Sequence, residues 1–96
     1  MIRHICMFTL KEDNKARNIT EFFKRAEKLR KLEMIKQFNV VRNAKKTPDS
    51  NYDVALIFDF DTAETLDEYQ KSQLHKEFGD FVYSIRVDRA CIDYEI

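Results

Sequence analysis

The sequence predicts an α+β domain with four strands in one antiparallel sheet, in the order strand, helix, strand, strand, helix, strand. Three observations carry this. Apolar residues alternate at both ends of the chain, over residues 2–10 and 84–96. A helical period governs the stretch from Asn18 to Glu33, with apolar residues on one side and lysines on the other. A dense apolar run, Tyr52 to Phe60 (YDVALIFDF), stands between a turn and a second helical stretch.

Along the first strand, Ile2, His4, Cys6, Phe8 and Leu10 share one face, and Ile5 and Met7 lie on the other. Both faces are apolar at the middle, so this strand must be covered twice. Lys11 to Arg17 is a charged connector. Asn18 and Glu21 have capping-box spacing and predict that the first helix starts there. Ile19, Phe22, Phe23, Ala26, Leu29 and Leu32 then form its apolar side, opposite Lys24, Arg25, Lys28 and Lys31, and the helix is expected to reach Glu33. A weaker strand follows over Lys36–Asn43. Ala44 to Asn51 is a turn with Pro48 at its second position.

After the strand Tyr52–Phe60, Asp61 and Glu64 predict a second capping box. It opens a helix with Leu66, Tyr69 and Gln73 on one face. A further helical stretch, Leu74–Tyr83, holds the only glycine, Gly79. Ser84–Ile96 closes the chain as a strand. This order is the ferredoxin-like split βαβ pattern, βαββαβ. Its helices cover one sheet face and leave the other, still apolar, exposed. Such a patch on a small domain marks an interaction surface. The economical cover is a second copy, giving a homodimer whose helix-free sheet faces meet and close a dimeric α/β barrel. Ile57 and Val87, or their strand neighbours, are expected at that contact.

Length and composition agree with one domain over residues 1–96. A chain this short buries only about 60–65% of its unfolded surface, a thin core that self-association would enlarge. No apolar run approaches the roughly 18 residues a membrane span needs. The apolar start is interrupted by Arg3, His4 and Thr9, which marks a strand and not a signal peptide. Cys6 and Cys91 are far apart and lack C-x-x-C spacing, which argues against a zinc site and a disulfide framework. The expectation is two buried, reduced thiols in a cytoplasmic protein, with a disulfide between them as the alternative.

Net charge is zero, but residues 1–46 carry 13 basic and 5 acidic side chains, and residues 47–96 carry 4 and 12. Overall neutrality counts against nucleic acid as a partner. Asp53–Phe60 also lacks the glycine-containing aromatic signature of RNA-recognition strands. No phosphate-cradling glycine loop, nucleophile elbow or metal-ligand cluster is found, so neither cofactor nor metal is expected.

Several local patterns then converge. The chain opens with Ile2-Arg3-His4-Ile5 followed by Phe8, and pairs Phe22 with Phe23 in its first helix. Tyr69 to His75 is followed by Phe78-Gly79-Asp80, and Asp88-Arg89-Ala90 by Asp93-Tyr94. In order and spacing these resemble the stress-responsive A/B-barrel (Dabb) domains over essentially the whole chain. The resemblance implies a small homodimer. It also implies two kinds of function: a binding or stress-associated module without chemistry, or a cofactor-free lyase, cyclase or heme-less oxygenase-like enzyme.

One plant member is a polyketide cyclase that closes an aromatic ring by aldol condensation. By that resemblance His75 is the general base and Tyr69 the hydroxyl that orients the substrate. His4, Phe8, Phe22 and Phe23 match its pocket positions, and Phe78 adds to the aromatic surroundings. The sequence departs from the pattern at Ser72-Gln73, where the family often has His-Pro, and at Val54, where the cyclase has a pocket histidine. On an unbroken helix Tyr69 and His75 lie about 120° apart, so their convergence requires a break that Ser72 and Gln73 permit but do not compel. The structural alternatives are plain: His75 as an unpartnered histidine, Tyr69 and the phenylalanines as core, and His4 as a hydrogen-bonded core imidazole. The expected ligand is a small hydrophobic or aromatic molecule.

Overall fold

The computed structural model describes residues 1–96. It contains β1 (Ile2–Leu10), α1 (Lys15–Ala26), β2 (Gln37–Arg42), β3 (Val54–Phe60), α2 (Ala63–Lys71), α3 (Gln73–Ile85) and β4 (Arg86–Glu95), with a 3₁₀ turn at Glu27–Lys31 after α1. The sheet runs in the order β2-β3-β1-β4, antiparallel throughout. This is the ferredoxin-like α+β fold that the element order predicts. No helix is long and apolar enough to cross a membrane.

The helix boundaries differ from the sequence expectation for local reasons. α1 opens at Lys15 with Asn14 at its N-cap, in the left-handed region (φ 59°) that asparagine tolerates. Asn18 is already inside it, its N–H bonded to the Asn14 carbonyl. Glu21 does not reach back to a cap but accepts from Arg25 one turn on. The α-helix ends at Ala26, short of Glu33, and the chain tightens into the 3₁₀ turn that buries Leu29. At α2 the box is Thr62 with Thr65, one residue beyond Asp61 and Glu64. The Thr62 hydroxyl accepts from the Thr65 N–H at 3.1 Å, and the Thr65 hydroxyl accepts from the Thr62 N–H at 3.2 Å. The two helical stretches expected after β3 are the separate helices α2 and α3, with Gln73 opening α3 and not closing α2.

The core lies between the sheet and the helices. Phe8, Leu10, Phe58 and Phe60 from the sheet meet Ile19, Phe22, Ala26, Leu66, Tyr69, Phe78 and Val82 from the helices, all buried. The opposite sheet face carries Ile5, Met7, Ala55, Ile57 and Ala90 half-buried, with Val41 and Ile92 exposed. At one end of that face Asp59 is buried and takes a two-pronged bond from Arg3, 2.8 Å from Nε and 3.0 Å from Nη2. This geometry suits a guanidinium and a carboxylate.

The thiol expectation is overturned. Cys6 and Cys91 stand directly opposite each other in the β1–β4 register and are joined as a disulfide. Cys6 is buried but Cys91, on the edge strand, is exposed. Their sequence separation of 85 concealed the pairing, because only the β1–β4 register brings them together.

The Arg3 guanidinium holds the Asp59 carboxyl below its ordinary value of 3.8, chiefly through their hydrogen bonds. A depressed carboxyl contributes stability above its unfolded pKa, and that contribution is lost as pH falls through the folded value. Asp59→Asn should therefore lower the urea midpoint at neutral pH. The gap to wild type should close as the titration is repeated below pH 3.8.

Candidate functional site

The site depends on Ser72. Its backbone is extended (φ −68°, ψ 152°), so it ends α2 and caps α3 at once. The Ser72 hydroxyl donates to the Tyr69 carbonyl at 2.7 Å and accepts from the His75 N–H at 3.2 Å. This is the break that the spacing of Tyr69 and His75 requires. Across it the two rings meet edge to face, 4.8 Å between centroids.

Both rings line one cavity of about 320 Å³ between β1, β3, α3 and the start of β4. Phe8, Leu56, Phe78 and Val82 supply its apolar wall, and His4, Tyr69 and His75 its inner polar groups. Arg86, Arg89 and Asp80 also line it. Of the residues expected at a pocket, His4, Phe8 and Phe78 line this cavity. Phe22 and Phe23 are not: Phe22 is fully buried behind the wall, its ring 5.3 Å from Phe78 and 5.8 Å from Phe8. Phe23 packs edge-on against Phe22. Val54 is core and also stands off this cavity.

The polar groups are differently supported. His4 is buried and its Nδ1 meets Asp93 Oδ1 at 2.5 Å, a pairing that fixes the ring. Tyr69 is wholly buried and its hydroxyl has no hydrogen-bond partner. Burial pushes that phenol up, so it stays protonated and available to donate. His75 is pushed below its ordinary 6.5, first by burial, then by the charges of His4 and Arg89, with the Gln70 carbonyl opposing. It is a neutral imidazole at pH 7 and can accept a proton. Donor atoms of His4, Cys6 and Cys91 lie within 4.8 Å of one another. The two sulfurs are bonded together, however, and offer no thiolate to a metal.

Asp93, Arg86 and Arg89 were missed by sequence reasoning. Asp93 is 89 residues from His4, and only the β1–β4 register sets them opposite. The tract Asp88-Arg89-Ala90 to Asp93-Tyr94 had been singled out, but without a sheet order it had no address.

A four-stranded antiparallel sheet with helices on one face, and a cavity between them lined by His4, Tyr69 and His75, is the architecture of a ferredoxin-like α+β domain. Within it, the chain belongs to the stress responsive A/B barrel domain family, whose profile matches residues 2–96. Among solved structures it is similar to a Dabb family protein with a ferredoxin-like fold from Mesorhizobium loti. That pair is 24% identical with a TM-score of 0.83, covering 99% of this chain and 95% of the other. A dimeric ferredoxin-like protein of unknown function from Thermobifida fusca is 20% identical, with a TM-score of 0.89 over 99% and 90% of the two chains. An antibiotic biosynthesis monooxygenase is 12% identical, with a TM-score of 0.81 over 100% and 98%. At these identities the likeness is one of fold. No curated protein sequence matches the chain.

Two outcomes test the site's geometry. Gln73 is the first residue of α3, where proline is tolerated, and Ser72 already has the extended backbone that a following proline demands. Gln73→Pro should stabilise the protein by about 0.4–1 kcal/mol in urea unfolding, by stiffening the unfolded chain. In a proton NMR titration, the His75 ring should show a midpoint below 6.5.

Proposed function

We propose that this protein is a homodimer in which each protomer holds a small hydrophobic or aromatic carbonyl compound in the cavity, and that His75 and Tyr69 carry out acid–base chemistry on it. One observation carries the chemical part: Tyr69 lines the same cavity as His75, and its hydroxyl is buried without a hydrogen-bond partner. An unsatisfied buried hydroxyl costs about 1–3 kcal/mol, a cost that a bound carbonyl oxygen would relieve.

The fitting reaction is ring closure in a poly-β-keto compound. Neutral His75 takes a proton from a carbon between two carbonyls, and the Tyr69 O–H donates to the oxygen that becomes an enolate. The carbanion carbon attacks a second carbonyl and forms the new carbon–carbon bond. The imidazolium returns its proton to the resulting alkoxide, and loss of water completes the ring. No electrons leave the substrate, so no redox cofactor is called for. His75→Ala should slow formation of the cyclic product by at least about 100-fold, and Tyr69→Phe by less. If wild type and His75→Ala convert the compound equally slowly, the chemistry falls and a ligand-binding module remains.

The dimer reading is supported by the apolar sheet face of Ile5, Met7, Ala55, Ile57, Ala90 and Ile92, which no helix of the same chain covers. The Thermobifida fusca protein of like fold is itself dimeric. Sedimentation at micromolar concentration should give twice the 11.5 kDa of one chain. Ile57→Arg should shift it towards the monomer, because an unpaired charge would be buried where stable interfaces cover more than about 1,000 Å².

A further inference from the structure

We propose that Arg86 and Arg89 form an oxyanion subsite in this cavity, so that its ligand is an amphipathic carboxylate: an aromatic or apolar body carrying one negative group. The inference rests on the reading of the cavity as a ligand site and adds the charge of what it takes. Side chains alternate along a strand, so residues three apart normally face opposite sides of the sheet. Here Arg86 stands opposite Leu10, Asp88 opposite Thr9 and Arg89 opposite Phe8, and Val87 has no partner. That one-residue bulge turns both arginines to the helix side, where both line the cavity. Bulges beside binding sites re-aim side chains in this way.

The two guanidiniums are unclaimed. Arg3, Arg25 and Arg30 are each held by a carboxylate, whereas neither Arg86 nor Arg89 is in an ion pair. Arg86 instead lies over the Tyr83 ring at 5.2 Å, which leaves its donors free. Residues 47–96 contain 12 acidic and only 4 basic side chains, and two of those four meet at this cavity. Asp80 is the one carboxylate on the lining, so two cations against one anion leave it net positive while His75 is neutral. On the same lining, Phe8, Leu56 and Phe78 accept a carbon body. A guanidinium's planar fork matches a carboxylate better than it matches a neutral carbonyl.

Calorimetric titration with naphthoate, its methyl ester and naphthylmethylamine tests this. Naphthoate should bind at least about tenfold more tightly than the ester, the worth of roughly one charge-assisted hydrogen bond. Added salt should narrow that ratio. Arg86→Gln and Arg89→Gln should each weaken naphthoate while leaving the ester unchanged, and the unchanged ester reports an intact cavity. Equal affinity for acid and ester, or a preference for the amine, overturns the anion subsite even if His75→Ala still abolishes turnover. Failure of all three probes to bind overturns this inference together with the ligand reading.

Discussion

β1 is hydrogen-bonded along both edges, to β3 and to β4, and its two rows of side chains fix what each face of the sheet can do. His4, Cys6, Phe8 and Leu10 are buried under the helices, and Ile5 and Met7 are half-covered on the other side. A central strand cannot shift register by one residue without exchanging these rows. The exchange would send His4 away from Tyr69 and Asp93 and bring Ile5 and Met7 in. The core, the floor of the cavity and the bare apolar face therefore share one constraint. The same pairing sets Cys6 against Cys91 and His4 against Asp93, so β4 is tied to β1 by a covalent bond and a polar one as well as by its ladder.

Helix α2 stops at Lys71 for an equally local reason. A serine in extended conformation can satisfy backbone groups on both sides of itself, accepting at the start of one helix and donating to the end of the other. Ser72 does both, and the chain turns without glycine or proline. The change of axis allows two side chains six residues apart to share a cavity. Gly79 meets nothing within 4 Å of where a Cβ would stand, so its place in α3 is not explained by packing.

The fold was legible because its signals are periodic. Alternation found β1 and β4, a dense apolar run found β3, and the helical stripe of Phe22, Ala26 and Leu29 found the first helix. Cap residues misled by four positions at α1, where Asn14 and not Asn18 is the cap, and by one at α2, where Thr62 and not Asp61 is, since asparagine, threonine and aspartate all suit the role. The site was half legible. Tyr69, His75, His4, Phe8 and Phe78 could be named from the sequence, and they line the cavity. Phe22 and Phe23 could not be separated from them, because the same helical spacing serves a core and a pocket wall. The cysteine pair, Asp93 and the two arginines were not readable at all, because their positions follow from strand order and from a bulge that no local pattern announces.

The charges around the cavity fit one scheme. An imidazole is a useful base only while neutral, and a bound enolate is stable only near positive charge. A carboxylate partner for His75 would raise its pKa and hold the proton it must release. Asp93, which is not on the cavity lining, is instead bonded to His4 and holds its ring, and His75 has Arg89 among its neighbouring charges. The arginine that disfavours the protonated histidine also makes the lining attractive to anions. In the proposed reaction Tyr69, kept protonated by burial, is the donor and does not compete for the same proton. In the proposed reaction the two histidines are therefore not equals: Asp93 fixes the ring of His4, and His75 is the one left to accept a proton.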